Sequence, residues 1–269
     1  MNNAQYTQLT SLCNIDLVGS GVTQFLDGQL TINTNSLETN TAKLACFCNH
    51  KGRIIALFHI MLIDNGVRLI LPQSTIETAE QHIKKYSVFF KVEVFTNTTE
   101  LFGIIQDTPT NLEHSDTVNI DQTDLLISFN ESDLAKTDDT FWFNHLATKK
   151  IAWLTQDTLE HFLPHNLNLP ALNAIDFNKG CFTGQEVIAR MQYKGKLKQH
   201  LQLLLCEENI KILSKSKLFQ NGIPVGEIVC SMSNCKNNVQ VLALIKDSAN
   251  LSQQFQTTSE NSSILEIIS

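Results

Sequence analysis

Short apolar runs separated by glycine and Asn-Gly turns fill the first hundred residues, and one helical period interrupts them. The runs predict β-strands at residues 14–18, 44–48, 53–63, 67–71, 88–94 and 101–106. The spacing of Ile76, Ala79, Ile83 and Tyr86 predicts a helix over residues 75–86, and a shorter helix is predicted over residues 22–29. Strands interleaved with single helices indicate an α+β unit of ferredoxin-like type.

The pattern changes after residue 200. Apolar runs at residues 201–206, 217–219, 225–230 and 239–245 alternate with polar turns that contain Gly222 and Pro224, which favours a small antiparallel β-barrel. Between the two halves, residues 111–140 contain eight acidic residues and one lysine, and we expect a solvated, variable stretch there.

Composition is that of an ordinary globular protein, with 42% apolar and 17% charged residues in 269 positions. This length suits two or three modest domains. The formal net charge is −7, yet residues 179–217 hold eight basic residues against three acidic ones. A basic island in an acidic protein favours an anionic ligand or partner, although solvated surface explains most such runs.

The N-terminal residues MNNAQYTQL have neither a basic nor an apolar region, so we expect no secretory signal here. The strongest apolar run, residues 54–63, is too short to span a bilayer, so we expect a soluble, cytoplasmic protein without a membrane partner. Seven cysteines (13, 46, 48, 181, 206, 230 and 235) include no CxxC pair and are expected to be reduced. A strand could align Cys46, Cys48 and His50 as metal ligands, but buried thiols are the favoured interpretation and no metal is predicted.

Residues 174–190 contain the densest candidate chemistry. Thr183 and Glu186 have the spacing of a capping box that opens a helix, and Gly195 suits its end. Lys179 and Cys181 would then precede a helix N-terminus, where backbone amides favour anions and a thiol can react as a thiolate. The residues alone also allow a tight turn in which Cys181 is inert.

The run Lys-Gly-Cys-Phe-Thr-Gly-Gln-Glu at residues 179–186 resembles the K-G-C-(aromatic)-x-G-Q-E signature of the YgfZ-type family, relatives of the glycine-cleavage T-protein. Three further segments resemble this family: Gly-Gln-Leu-Thr at 28–31, the C-x-x-K-G pattern at 48–52, and residues 84–89. The resemblance covers residues 12 to about 200, and the C-terminal barrel resembles the family only by pattern.

The resemblance implies an α+β protein built as a three-domain ring of T-protein type. Its domains would be a folate-binding core of residues 1–45 plus 135–195, a ferredoxin-like domain of residues 46–134, and a C-terminal barrel of residues 196–269. Tetrahydrofolate or a derivative would bind near the central channel. The implied cofactor-binding residues are Trp142, Lys179, Gly180, Cys181, Gln185, Glu186 and Arg190.

The resemblance implies three kinds of contact: aromatic stacking, polar contacts to the pterin, and contacts from basic residues. An aromatic residue 39 positions before the signature cysteine would stack on folate, and here it is Trp142, for which a buried core position is the alternative. A second folate-contacting tryptophan of the family aligns with Leu12, and Trp153 is expected in the core. Glu186 and Gln185 suit a pterin edge. The basic residues Arg190, Lys194, Lys196 and Lys198 could meet a polyglutamate tail, a tRNA or an acidic partner, or form an exposed helix end.

The catalytic acid of the T-protein is replaced here, because the matching positions are Ala56 and Leu57 and the nearest downstream acid is Asp64. We therefore reject glycine cleavage. The expected function is folate-dependent assembly or repair of iron–sulfur clusters, with iron–sulfur proteins or their assembly machinery as partners and tRNA-modifying enzymes as indirect beneficiaries. Cys181 would be the redox or ligand-handling group.

A folate-dependent one-carbon transferase or oxidoreductase with an unidentified acceptor is the alternative, and Cys181 would then be the catalytic nucleophile or redox centre. Direct tRNA binding is the least favoured hypothesis, because most of the chain is acidic.

Overall fold

The computed structural model describes residues 5–97, 99–105, 117–130, 136–207, 211–233, 238–257 and 264–268. The strands before residue 140 are β1 (Gln5–Gln8), β2 (Leu12–Val18), β3 (Thr41–Cys48), β4 (Ile54–Ile63), β5 (Gly66–Pro72), β6 (Glu93–Thr96), β7 (Phe102–Ile105), β8 (Thr117–Ile120), β9 (Leu125–Ser128) and β10 (Lys136–Thr137). The later strands are β11 (Gln199–Cys206), β12 (Lys217–Gln220), β13 (Ile223–Ser233), β14 (Val239–Lys246), β15 (Phe255–Thr257) and β16 (Ile264–Ile267). The helices are α1 (Val22–Asp27), α2 (Ile76–Ser87), α3 (Thr140–Thr148) and α4 (Gln185–Lys194).

Ten strands form one mixed sheet in the order β10-β1-β7-β9-β8-β3-β4-β5-β2-β6. Within it, β6, β2, β5 and β4 are mutually antiparallel neighbours, and α1 and α2 lie in the two crossover connections. This βαββαβ arrangement is the ferredoxin-like unit predicted from the strand and helix pattern. Strand β3 is an addition to it, and pairs with β8 to join the unit to the rest of the sheet.

Successive side chains of a strand point to opposite faces of the sheet, and this explains how the strands contribute to a core on each face. Ala45 and Phe47 of β3 join the helix-side core, the cluster beneath α1 and α2 that includes Phe25 and Ile83. The intervening Cys46 points to the opposite face and joins the central core described below. The sheet is therefore sandwiched rather than exposed on one face.

The acidic stretch is more ordered than we expected. Strands β8 and β9 lie in residues 111–140, and their apolar side chains, including Val118, Ile120 and Ile127, are buried. The prediction of a solvated stretch is wrong for these strands, because the acidic residues flank the strands rather than interrupt their apolar runs. Residues 106–116 and 131–135 lie outside the described residues.

The passage from α2 into β6 also differs from the prediction of a strand over residues 88–94. Strand β6 begins at Glu93, and the preceding residues reverse the chain with a hydrogen bond from Phe90 N to Ser87 O of 2.8 Å. Phe90 packs against Phe25, with 5.8 Å between ring centroids. Its neighbour Phe89 is 93% exposed.

The C-terminal strands close into an antiparallel barrel in the order β11-β14-β13-β12-β15-β16, with β16 returning to β11. Leu218, Val241 and Phe255 fill its interior, which we call the barrel core. Residues on the outer face of β11 and β14, such as Leu203 and Leu242, instead join the central core. The predicted barrel is confirmed; β11 and β13 extend beyond the predicted apolar runs, and β15 and β16 complete the barrel.

The central core connects the sheet, α3, α4 and the barrel. It includes Leu57 from β4, Trp142 from α3, Ile188 from α4 and Leu242 from the barrel. The domain limits predicted from the resemblance stay a prediction, and the limit at residues 45 and 46 falls within β3. None of the helices in the described residues is long and apolar enough to cross a lipid bilayer.

Candidate functional site

The signature residues form a loop, residues 179–184, followed by α4; we call it the signature loop. Helix α4 begins after Gly184, which adopts a φ of +87°, and no side chain caps it. The predicted capping box of Thr183 and Glu186 is therefore wrong. Thr183 instead faces the Gly28-Gln29 turn, where its backbone N–H donates to Gly28 O at 3.1 Å and its hydroxyl lies 3.3 Å from Gln29 Oε1.

The C-x-x-K-G turn supports the other side of the signature loop. A Cβ at Gly184 would lie 2.6 Å from Asn49 O and 3.2 Å from Cys48 Cβ, so the two backbones pack without room for a side chain. Gly52 in turn packs against Val187 of α4. The fold thus assembles three sequence-distant motifs, at residues 28–31, 48–52 and 179–186, around one loop.

Lys179 fastens the loop to the segment after α1. Its ammonium donates to Leu30 O at 2.7 Å and to Ile32 O at 2.9 Å. Burial lowers the pKa of Lys179 to about 8, and the nearby carboxylates of Asp27 and Asp176 oppose that shift. The ammonium of Lys179 therefore forms hydrogen bonds to two backbone carbonyls, those of Leu30 and Ile32.

His82 of α2 contacts the Gly28-Gln29 turn. Its Nε2 lies 3.0 Å from Gln29 Oε1, and its ring stacks on Phe47. Burial lowers the pKa of His82 to about 4, and repulsion from Lys85 and His50 acts in the same direction. The imidazole is therefore neutral near pH 7, and it links Gln29 to the helix-side core.

Cys181 differs from the other described cysteines because it is exposed, whereas Cys13, Cys46, Cys48, Cys206 and Cys230 are buried. A side chain added at the neighbouring Gly180 would meet no atom within 4 Å, so the surface around the thiol is open. Cys235 lies outside the described residues. Ligands and reactants can thus reach Cys181 directly.

Cys46 and Cys48 lie side by side in the central core with their sulfur atoms 3.7 Å apart. The hydrogen bond with Cys46, together with burial, raises the pKa of Cys48. His50 lies beyond the end of β3 and is exposed, so it does not share their environment. Among the described residues, no group of three or more His, Cys, Asp or Glu side chains is placed to hold a metal ion.

Helix α4 presents the remaining predicted folate contacts. Glu186 and Arg190 are exposed one turn apart on this helix, and Gln185 is half-buried at its start. The basic run continues with Lys194, Lys196 and Lys198, all exposed. A carboxylate and a guanidinium therefore lie one turn apart on the exposed side of α4, and an amide lies at the start of this helix, which follows the signature loop.

Trp142 does not share this surface. It is 1% exposed in the central core, and a Cβ at Gly103 of β7 would lie 2.4 Å from its Cε3 atom. Trp153 is half-buried and packs against Phe143, with 5.0 Å between ring centroids. The stacking role of Trp142 stays a prediction, and the structure gives its indole a packing role between α3 and β7.

Comparisons with known proteins agree with the sequence motifs. No protein-family model matches the chain. A protein named tRNA-modifying protein YgfZ from Aliivibrio fischeri strain MJ11 is 31% identical over 228 residues, an alignment that covers 75% of this chain and 71% of the relative. The chain belongs to the YgfZ family. The YgfZ protein of Colwellia psychrerythraea is 29% identical over 224 residues, which cover 72% of this chain and 69% of the relative.

A solved structure extends this relationship to the whole fold. The glycine cleavage system aminomethyltransferase T from Bartonella henselae superposes with a TM-score of 0.67 at 14% identity, and covers 99% of this chain and 85% of that protein. The α+β fold of T-protein type is thereby confirmed. In this YgfZ-family chain, Ala56 is buried in the helix-side core and Leu57 in the central core.

Sequence reasoning missed several polar residues that the fold brings together. The bidentate pair of Arg68 and Asp16 joins β5 to β2, with both nitrogen–oxygen distances 2.7 Å. His165 contacts Gln192 of α4 at 3.2 Å. No sequence signal marked these pairs, because their partners are distant along the chain. A cavity of about 890 Å³ at the far end of β4 was also missed.

Proposed function

We propose that this chain is a tetrahydrofolate-binding accessory protein for iron–sulfur cluster assembly or repair, which acts in the cytoplasm and supports tRNA modification indirectly. The observation that carries the proposal is the exposed thiol of Cys181 on a loop whose backbone is fixed on two sides. A fixed loop presents a reactive group at a constant position without itself moving. The naming of its relatives as tRNA-modifying proteins supports the link to tRNA.

The exposed groups of α4 fit a folate. Glu186 can accept paired N–H bonds from the aminopyrimidine part of a pterin, and Arg190 can pair with a glutamate carboxylate. No ion pair between Glu186 and Arg190 occurs among the described contacts, so both groups are available. When bound, folate supplies one-carbon or redox chemistry, whereas the chain's own residues bind it and hold Cys181 beside it.

Binding is tested by titrating purified protein with tetrahydrofolate and its 5-formyl form and following tryptophan fluorescence. We expect saturable binding that weakens about tenfold in Glu186→Gln and in Arg190→Ala. Glu77→Gln is the matched control, because Glu77 is an exposed acid in the first turn of α2. Trp142→Phe, which keeps the core filled, separates the two tryptophans: loss of quenching assigns the signal to Trp142, and retained quenching assigns it to Trp153.

The role of Cys181 is tested in cells that lack this protein, by measuring the level of a tRNA modification made by an iron–sulfur enzyme. Wild type should restore the modification and Cys181→Ser should not. Cys13→Ser is the control, since this buried thiol donates to Leu71 O at 3.4 Å and a serine hydroxyl can keep that bond. Full restoration by Cys181→Ser, or no folate binding by folded wild type, would overturn the proposal. Folate turnover by the pure protein would favour the transferase or oxidoreductase alternative.

A further inference from the structure

The cavity at the far end of β4 lies at the opposite end of this strand from the signature loop. Gly52, just before β4, packs against α4, whereas Ile63 at the end of β4 lines the cavity. Ten residues of extended strand separate the two places by about 30 Å. The cavity therefore belongs to neither the signature loop nor the predicted folate contacts on α4.

Two glycine turns shape the walls of this cavity. Gly19 has a φ of +128°, and a Cβ there would lie 2.3 Å from Lys91 O. A Cβ at Gly66 would lie 1.9 Å from Leu17 O. Both turns therefore require glycine at these positions, and both glycines line the cavity. Its volume of about 890 Å³ falls in the range of small-molecule sites.

The lining has an apolar floor and a polar rim. Val22, Leu26, Leu37 and Val67 are buried side chains at the floor. The rim is formed by exposed hydroxyl and amide side chains, those of Ser20, Thr23, Thr39, Asn40 and Asn65, together with the carboxylate of Asp64. This combination suits a ligand with an apolar body and a polar end.

The charged residues of the lining indicate which class of ligand the cavity can bind. Asp64 is the ionisable residue of the lining, and no lysine, arginine or histidine lines the cavity within the described residues. Thr34, another lining residue, donates to the carboxylate of Asp27 at 2.6 Å, but Asp27 also lies near the ammonium of Lys179, which offsets its charge, so Asp64 sets the sign of the charge at the cavity. An anionic ligand such as folate or a nucleotide is disfavoured at such a site, and a cation is favoured.

We propose that this cavity is a binding site for a small organic amine, with the apolar body on the floor and the ammonium at Asp64. The proposal is independent of folate binding, because it rests on other residues. It also assigns a role to the Gly-Ser-Gly and Asp-Asn-Gly turns, which the predicted function leaves unused.

Three probes of similar size test the proposal: phenethylamine, 2-phenylethanol and phenylacetate, whose binding is measured by saturation-transfer NMR with titration at low salt. We expect saturable binding of phenethylamine, about two- to fivefold tighter than that of the alcohol, with the anion weakest. Asp64→Asn should remove the preference for the amine. Thr23→Trp, a change at an exposed rim position, should narrow the cavity and weaken the binding of all three.

Asp157→Asn is the control, since Asp157 is exposed and lies outside the lining. It should leave every affinity unchanged. Equal binding of the three probes, no saturable binding to the wild type, or unchanged binding in Thr23→Trp would each overturn the proposal. Tetrahydrofolate binding should be the same in wild type and in Thr23→Trp, so a failed folate titration and a failed amine titration are distinguishable.

Discussion

At the scale of single residues, glycines decide how closely the three motifs approach one another. Gly184 combines a left-handed φ of +87° with a backbone neighbour, Asn49 O, at 2.6 Å from its missing Cβ. Gly222, in the turn between β12 and β13, has a similar φ of +76° but nothing within 4 Å. The two positions therefore share a backbone conformation and differ in their surroundings.

Replacement of these glycines by alanine separates conformation from contact. Gly222→Ala should lower the free energy of unfolding by about 1 kcal/mol, the cost of a left-handed conformation for a residue with a Cβ. Gly184→Ala should lower it by about 2–4 kcal/mol, because the new methyl also pushes the signature loop away from Asn49. Urea denaturation measures both. Equal losses at the two sites would contradict the close packing described for Gly184.

At the scale of elements, short connecting segments join the site to the barrel. The segment at residues 160–162 pairs with the start of β4, through Ile54 N to Phe162 O at 3.0 Å and Glu160 N to Ile54 O at 2.8 Å. His161 then contacts Glu227 of β13, and Lys217 of β12 bonds the other oxygen of the same carboxylate. The turn that supports the signature loop is thus connected to the barrel through one carboxylate.

Glu227→Gln should weaken this connection. Burial by itself would raise the pKa of Glu227, but hydrogen bonds from Lys217 and His161 outweigh it and lower the pKa. Because the folded pKa lies below the unfolded value, the stabilisation is present above about pH 4.5 and is lost as the pH falls through the folded pKa. We expect a loss of about 1–2 kcal/mol at pH 7 that shrinks in acid, measured by denaturation at several pH values.

The control is the exposed pair of His200 and Asp247, 3.1 Å apart, also between an imidazole and a carboxylate of the barrel. Asp247→Asn should change the stability by less than about 0.5 kcal/mol, since solvent screens an exposed pair. If Asp247→Asn were as destabilising as Glu227→Gln, or if the loss at Glu227 did not depend on pH, the proposed connection would be wrong.

At the scale of the whole molecule, the central core makes the sheet, α3, α4 and the barrel one structure. Trp142 lies in this core against Gly103, and helix α3 also contacts β13 and β14. A change at Trp142 should therefore affect the stability of elements on both sides of α3. For the same reason, loss of folate binding in Trp142→Ala would not by itself assign Trp142 to the ligand site.

Trp142→Ala should lower the free energy of unfolding by about 3–5 kcal/mol and destabilise the barrel together with the sheet. Hydrogen exchange followed by mass spectrometry should then show faster exchange in β13 and β14 as well as in β7. Ile83→Ala, a change in the helix-side core, is the comparison, because Ile83 lies outside the central core. Unchanged barrel exchange in Trp142→Ala would mean that the barrel folds independently.

The sequence by itself determined the type of most elements and the family of the chain. Short apolar runs bounded by turn residues predict β3, β4 and the barrel strands, and this local signal needs no tertiary information. The motif at residues 179–186 likewise identified the family and marked Cys181 as a candidate group, whereas its exposure is known only from the structure. These features depend on neighbours along the chain.

The tertiary structure alone decided what depends on distant residues. Thr183 bonds to Gly28 rather than capping α4, Lys179 holds the carbonyls of Leu30 and Ile32, and Trp142 is enclosed against Gly103. In each case the partner lies at least 39 positions away in the sequence, and sequence periodicity carries no information about such contacts. The amine site proposed above has the same origin, because its cavity forms only where the turns at residues 19–21 and 64–66 meet.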